Sequence, residues 1–211
     1  MNLKYLYIAL FINILLFSSC EKTVKTPNTS KLSKTESKVC QTLVIQPFSD
    51  IPKSIIDSLH ENLKKINPNI RVNKAIPLPQ KAYYSPRDRY RADSLIQFLW
   101  YKSRNSSVVI GVTSKDISAT KGEYKDWGIM GLAYCPGLSC VISSHRLSKN
   151  NLNEQIYKVA VHELGHTQGL PHCKNTKCYM QDAEGKNKKD ELIHFCNSCK
   201  LHLQKRGWIL E

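Results

Sequence analysis

The chain has 211 residues and a formal net charge of +14, because 31 lysines and arginines outnumber 17 aspartates and glutamates. This length suits one domain with a substantial core. A strong positive charge favours nucleic acids, anionic membrane surfaces or acidic substrates as partners. The basic residues are scattered and mostly lysines, without an arginine-rich helix or an aromatic RNA-binding motif. We therefore expect no nucleic-acid binding and favour proximity to an anionic bilayer.

The N-terminal segment is predicted to be a leader followed by a tether. One lysine precedes the apolar stretch Leu6–Phe17, which is shorter than the ~20 residues that a membrane-spanning helix needs. The following Ser-Ser-Cys20 resembles a lipoprotein cleavage site. We therefore expect a signal peptide over residues 1–19, a lipid on Cys20 that anchors the protein to a membrane outside the cytoplasm, and a flexible tether over residues 20–39. The alternatives are an ordinary secreted protein and an uncleaved anchor.

Strands and helices alternate in the predicted folded domain, which spans residues 40–211. Runs of β-branched or alternating apolar residues predict strands at 42–46, 70–76, 107–112, 129–134 and 139–144. Apolar residues at helical spacing predict helices at 52–66, 87–101 and from 150 or 151 to about 168. The stretches 77–86 and 114–126 are predicted to be loops. This alternation indicates a mixed α/β sheet domain.

The segment Val161–His172 contains the pattern H-E-x-x-H-x-x-G-x-x-H. His162 and His166 are four residues apart, slightly more than one helical turn, so both imidazoles leave the same face of a helix. Gly169 can adopt the left-handed backbone that ends a helix, and His172 then returns to the same point from outside the helix. Three histidines with an open fourth position are typical of a catalytic zinc site.

The reaction predicted for this site is the hydrolysis of a peptide bond. A zinc ion lowers the pKa of its bound water to roughly 7 and polarises the scissile carbonyl. Glu163, next to the first ligand, is placed to accept the proton of this water and to deliver it to the leaving amine, as general base and then general acid. The sequence does not declare a further hydrogen-bond donor for the transition state; Tyr134, His145 and Tyr179 are candidates, although residues of these types more often serve in packing.

Eight cysteines are a high number for a chain of this length. Four of them form two short-range pairs in the C-terminal part: Cys173, Cys178, Cys196 and Cys199. Four thiolates in this arrangement are typical of a closed, tetrahedral structural zinc site, and disulfides are the alternative because a secreted chain meets oxidising conditions. Cys135 and Cys140 flank a Pro-Gly turn, where a hairpin disulfide and free thiols are both open, and Cys40 has no evident partner.

The motifs of the C-terminal half resemble those of the archaemetzincins, a family of the metzincin clan of zinc proteases. The resemblance rests on the histidine motif, on Cys173 directly after it, on Cys178-Tyr-Met180 and on the distal Cys-x-x-Cys, and it is strongest over residues 155–203. It implies a twisted mixed sheet packed on two long helices, one of which carries the histidine motif. It also implies an antiparallel edge strand near Gly128–Tyr134 that holds an extended peptide above the zinc, Met180 packed beneath the zinc, and a second zinc that pins a small C-terminal subdomain.

We therefore expect a monomeric zinc metallopeptidase of metzincin-like α/β fold, with one catalytic and one structural zinc per chain and a peptide or protein as substrate. The predicted catalytic residue is Glu163. The predicted metal ligands are His162, His166 and His172 for the catalytic zinc and Cys173, Cys178, Cys196 and Cys199 for the structural zinc. Two alternatives stay open: a zinc-bound peptide-binding module with little or no protease activity, and a basic module that binds nucleic acid or another anionic polymer. Aminopeptidase and endopeptidase modes are both open.

Overall fold

The computed structural model describes residues 41–103 and 107–211 of the chain. In these ranges the strands are β1 (Leu43–Pro47), β2 (Ile70–Val72), β3 (Tyr83–Tyr84), β4 (Arg89–Arg91), β5 (Val108–Thr113), β6 (Ile117–Lys121), β7 (Tyr124–Ile129), β8 (Gly131–Ala133) and β9 (Ser139–Ser143). The helices are α1 (Lys53–Ile66), α2 (Ala92–Trp100), α3 (Leu152–Thr167) and α4 (Asn197–Gln204). Single turns of 3-10 helix lie at Gln80–Ala82, Ser85–Arg87 and Lys189–Glu191.

The main sheet has the strand order β2-β1-β5-β9-β8, and its neighbours run parallel except for the antiparallel pair β8–β9 at one edge. Successive side chains of a strand point to opposite faces. Leu43 and Ile45 of β1 pack with α1 and α3, whereas Val44 packs with α2 on the other face. Because the central strands are covered on both faces, they are apolar almost throughout. The predicted mixed α/β class, with its sheet packed on the two longest helices, is confirmed.

A second sheet, of order β3-β4-β6-β7, overturns one prediction. Residues 114–126 are not a surface loop, because β6 and β7 form an antiparallel hairpin that turns at Gly122, where φ is 56°. The hairpin lacks a clear apolar pattern because much of it is exposed or only half-buried. Its base is held by the buried side chain of Ile117 and by ion pairs of the preceding Asp116 with Arg89 at 3.1 Å and with Arg146 at 2.8 Å.

Three other predicted elements differ from the structure. Helix α2 begins at Ala92, later than predicted, because Arg89–Arg91 pairs with β6 as strand β4. The second predicted strand is shorter, since β2 ends at Val72 in an exposed stretch. The predicted loop over 77–86 contains the short strand β3. The remaining predicted strands and helices agree with the structure to within two residues at either end.

Several predictions concern residues 1–40, which lie outside the described part of the chain. These are the signal peptide (1–19), the lipidated Cys20, the tether (20–39) and the pairing of Cys40, for which the sequence shows no evident partner. They stay predictions, as do the membrane anchoring, the location outside the cytoplasm and the monomeric state. Among the described helices, none combines the length and the hydropathy that are needed to cross a bilayer.

Candidate active site

Helix α3 ends where the glycine of the histidine motif predicts. Gly169 adopts a φ of 86°, and its amide donates to the carbonyl of His166 at 2.8 Å. The next amide, that of Leu170, donates to the carbonyl of Gly165 at 3.0 Å. This pair of hydrogen bonds is a Schellman motif, which favours a residue that tolerates left-handed backbone. The chain therefore reverses directly after the helix and brings His172 back to the histidines of α3.

The three predicted histidines converge near the C-terminal end of α3. Their nitrogen donors lie within 4.8 Å of one another, and the Nε2 atoms of His162 and His166 are 3.1 Å apart. The ring of His172 lies close to both, with centroid distances of 5.4 and 4.8 Å. Three imidazoles that direct one nitrogen each into a single small volume fit a zinc ion, whose catalytic sites use three protein ligands.

Backbone carbonyls orient the two helical histidines. The Nδ1–H of His162 donates to the carbonyl of Tyr179 at 2.6 Å, and that of His166 donates to the carbonyl of Leu170 at 2.7 Å. Each Nε2 is thereby left as the lone-pair nitrogen, which is the form that binds a metal. Burial lowers the pKa of both imidazoles, in His162 together with the positive charge of Lys189, and this favours their neutral form.

Glu163 lies at the floor of a cleft, against strand β8. It is 6% exposed, and burial raises its pKa to about 8, although the charge of Lys189 acts in the opposite direction. A Cβ atom on Gly131 of β8 would stand 2.5 Å from Oε1 of Glu163, so the absence of a side chain there gives the carboxylate its room. Burial thus shifts the pKa of Glu163 towards the range in which a general acid–base operates near neutral pH.

The cleft above Glu163 and the histidines has a volume of about 590 Å³. One wall is β8, an antiparallel edge strand that falls within the range Gly128–Tyr134 implied by the resemblance. The β6–β7 hairpin contributes a second wall through Lys121 and Trp127, and residues of the segment 182–189 contribute a third. Three elements that are distant in sequence thus form the walls of the cleft that contains the histidines.

None of the three candidate transition-state donors is among the residues that line this cleft. The hydroxyl of Tyr179 donates to the carbonyl of Ile193 at 2.9 Å, and Tyr179 contributes to the histidine site only through its backbone carbonyl. Tyr134 and His145 are exposed. The sequence prediction missed Lys189, which is 3% exposed and lines the cleft. It stands in the polar run Gly-Lys-Asn-Lys-Lys-Asp-Glu, where no sequence signal separates a buried lysine from an exposed one.

The loop after the histidine motif is folded against α3. Met180 is fully buried, and a Cβ atom on Gly165 of α3 would stand 2.4 Å from its Sδ. The amide of Cys173 donates to the carbonyl of Met180 at 2.8 Å, which joins the two ends of the loop. Met180 therefore packs against the turn of the helix that carries His166, as the resemblance implies.

The four C-terminal cysteines form a second cluster, in which all sulfur atoms lie within 4.8 Å of one another. All four are free thiols, and the sulfur atoms of Cys173 and Cys196 are 3.7 Å apart, well beyond a disulfide bond. The Sγ of Cys178 accepts a hydrogen bond from the amide of Cys196 at 3.3 Å. Burial acts to raise the pKa of Cys196, but hydrogen bonds from the Ser198 hydroxyl and from Cys199 outweigh it and lower this pKa to about 6. Four converging thiols fit a closed tetrahedral zinc site.

Cys135 and Cys140 are also free thiols, so no hairpin disulfide joins them. Cys140 lies opposite Ala133 in the β8–β9 ladder and is fully buried, which raises the pKa of its thiol. Cys135 lies in the exposed turn beyond the ladder, with its Sγ 3.6 Å from the carbonyl oxygen of Leu170. The two side chains are therefore in different environments rather than paired across the hairpin.

The part of the chain that contains the cleft and both clusters, residues 38–205, matches the family model of peptidase family M54. An archaemetzincin from Natronomonas pharaonis is 30% identical over 173 residues, which cover 75% of this chain and 97% of the relative. The crystal structure of the archaemetzincin from Methanopyrus kandleri matches with a TM-score of 0.68 at 30% identity, over 83% of this chain and 98% of that one. The archaemetzincin from Archaeoglobus fulgidus, solved in complex with malonate, matches with a TM-score of 0.65 at 29% identity, over 77% of this chain and 99% of that one.

Proposed function

Since the chain belongs to peptidase family M54 and is a zinc metallopeptidase related to the archaemetzincins, we propose that it hydrolyses peptide bonds in the cleft beside β8. In this proposal His162, His166 and His172 hold the catalytic zinc, and Glu163 is the general base and acid. The observation that carries the proposal is the convergence of three metal-binding nitrogens beside a buried carboxyl group at the floor of one cleft.

Glu163 carries the proton transfers in this proposal. The bound zinc would supply a Lewis acid and an activated nucleophile at neutral pH. As a carboxylate, Glu163 takes a proton from the attacking water, and as an acid it gives that proton to the leaving nitrogen. Burial supports this cycle, because a carboxyl group whose pKa is raised to about 8 accepts a proton more readily than an exposed glutamate does. The charge of Lys189 limits the rise in pKa and so favours the carboxylate form.

Strand β8 supports an extended peptide as the substrate. It is an edge strand of the main sheet, and Gly131, Leu132 and Ala133 all line the cleft. A peptide that adds to such an edge forms main-chain hydrogen bonds like those of an additional strand. Because Gly131 has no side chain, a backbone bound here passes close to Glu163. This would bring the scissile bond beside the group that transfers the proton.

We assign a structural zinc to the four C-terminal cysteines. Its ligands tie the loop after the histidine motif to α4, which begins directly after Cys196. The same loop carries Tyr179, whose carbonyl accepts the 2.6 Å hydrogen bond from His162. Since an orienting partner of this kind fixes the direction of a histidine ligand, the structural zinc would support the catalytic site indirectly.

The test of this function is the substitution Glu163→Ala in the zinc-loaded protein, assayed on a peptide library by mass spectrometry. We expect hydrolysis to fall by a factor of about 10² to 10⁴, the range for the loss of a general acid–base, while the zinc content stays unchanged. Glu61→Ala is the matched control, because Glu61 has a side chain that is 70% exposed on α1 and is not among the cleft residues. Full activity in Glu163→Ala would refute the role of this residue. Binding without cleavage by the wild-type protein would indicate a peptide-binding module instead.

A further inference from the structure

Lys189 is a buried lysine that has no ion-pair partner within residues 41–103 and 107–211. It is 3% exposed and lines the cleft together with Glu163. The similarly buried Lys158 forms an ion pair with Glu154 at 2.6 Å. Among the described residues, no carboxylate forms such an ion pair with Lys189. Burial lowers the pKa of Lys189, and the charges of Glu163 and Asp182 act in the opposite direction without contacting the ammonium group.

An ammonium group in a largely buried side chain loses part of its hydration, and without a counter-ion nothing in the fold makes up for that loss. Glu163 offsets only part of this loss, because no salt bridge joins the two residues in the described part of the chain and burial lowers the pKa of Lys189 despite their attraction. The position of Lys189 in the wall of a ligand cleft means that an anion entering with the ligand would reach it. Such an anion would give the ammonium group of Lys189 the counter-ion that the described residues do not supply.

The charges around the cleft are mostly positive. Four cationic and two acidic side chains line it: Lys121, Arg146, Lys186, Lys189, Glu163 and Asp182. Arg146 is already bound by Asp116 through two hydrogen bonds of 2.8 Å. Lys121 and Lys186 are exposed, so that solvent and salt screen their charge. Among these lining residues, Lys189 is the cation that is both buried and unpaired.

We propose that Lys189 binds a carboxylate of the substrate and so makes the enzyme prefer peptides with an acidic group near the cleaved bond. This inference rests on the proposed peptidase function. The carboxylate has two sources, the side chain of an aspartate or glutamate and the C-terminus of a short peptide. In both cases it forms a charge-assisted hydrogen bond with Nζ in a shielded site, an interaction that changes affinity by roughly 10- to 100-fold.

The experiment compares matched peptides on the zinc-loaded protein. Each peptide is made with Glu or with Gln at one position, and each of these with a free or an amidated C-terminus. We expect the wild type to cleave one carboxylate form at least about tenfold more efficiently than its neutral partner, mainly through KM. Lys189→Met should reduce this preference to less than about twofold. Lys186→Met, which removes an exposed cation from the same cleft, is the control and should retain the preference.

The pair of peptides that shows the preference identifies the source of the carboxylate. An absence of preference in the wild type, or an unchanged preference in Lys189→Met, overturns the proposal. An equal loss on all four peptides also overturns it and indicates that Lys189 acts on the reaction rather than on the substrate's charge. Zinc content and thermal melting monitor the fold of each variant. If Lys189→Met does not fold, Lys189→Gln replaces it. In addition, the preference of the wild type for the carboxylate form must persist at about 0.5 M salt, because a buried contact is weakly screened.

Failure of the peptidase function gives a different result. If the zinc-loaded wild type cleaves none of the four peptides, these peptides are stable ligands, and their Kd values are measured by fluorescence anisotropy. Tighter binding of a carboxylate form that is lost in Lys189→Met would keep the carboxylate site and reject only the peptidase function. Equal Kd values for all four peptides would reject the carboxylate site.

Discussion

A methyl group at position 131 would press on the carboxylate of Glu163. The Cβ of an alanine there would stand 2.5 Å from Oε1 and 2.6 Å from Cγ, whereas ordinary van der Waals contact begins at 3.4 Å. The carboxylate or strand β8 must therefore move by about 0.9 Å. Because a misplacement of about 1 Å costs a catalytic group about 10²-fold in rate, we expect Gly131→Ala to lose about that factor in kcat/KM.

The assay for Gly131→Ala is kcat/KM on a cleaved peptide, with zinc content and urea unfolding measured on the same samples. Gly122→Ala is the matched control, because the added Cβ meets nothing within 4 Å. Its only expected effect comes from the φ of 56° at this position. It should lose about 1 kcal/mol of stability through backbone strain and keep its activity. Wild-type kcat/KM in Gly131→Ala at full zinc content would refute the position or the role assigned to Glu163.

Three further predictions concern stability and metal content. In the metal-free protein, burial raises the pKa of Glu163 to about 8, so the folded state holds a proton that the unfolded state releases above pH ~4.5. As the pH rises from about 5 to 8, the free energy of unfolding of the wild type should therefore fall by about 2–5 kcal/mol relative to that of Glu163→Gln. A difference between the two variants in urea unfolding that is the same at both pH values would contradict this. Cys199→Ser should bind one zinc fewer per chain and melt at a lower temperature; two zinc ions in elemental analysis of the variant would count against the cysteine site. Met180→Leu should lower the free energy of unfolding by less than about 1.5 kcal/mol, whereas Gly165→Ala should lower it by about 1–3 kcal/mol because the added methyl group overpacks Met180. A urea midpoint of Gly165→Ala equal to that of the wild type would show that the two residues are not in contact.

The histidine motif could be predicted from the sequence because its information is local. The spacing of His162 and His166 follows from the helical repeat, and the return of His172 follows from a glycine that ends the helix. The central strands could be predicted for a related reason, since strands that are covered on both faces form continuous apolar runs. The grouping of the four cysteines likewise follows from two short spacings that metal sites commonly use.

The walls of the cleft could not be predicted, because their positions depend on contacts between distant residues. The β6–β7 hairpin has little apolar pattern, and its place depends on the ion pairs of Asp116 with Arg89 and Arg146 and on the packing of Ile117 into the core. Lys189 is buried because the 3-10 turn that it begins packs against α3, a contact that a polar run of sequence does not reveal. Tyr134, His145 and Tyr179 are candidate transition-state donors by residue type alone, and residue type does not indicate the direction of a side chain.

Metal analysis coupled to peptide hydrolysis tests the zinc-dependent mechanism most directly. We expect two zinc ions per chain in the purified protein. A chelator should remove first the ion at the histidines, because the side chain of His172 is 50% exposed. Hydrolysis should then stop and return when zinc is added, while the protein stays folded with zinc at its four cysteines. Undiminished hydrolysis by protein that has lost the zinc at the histidines would contradict the mechanism.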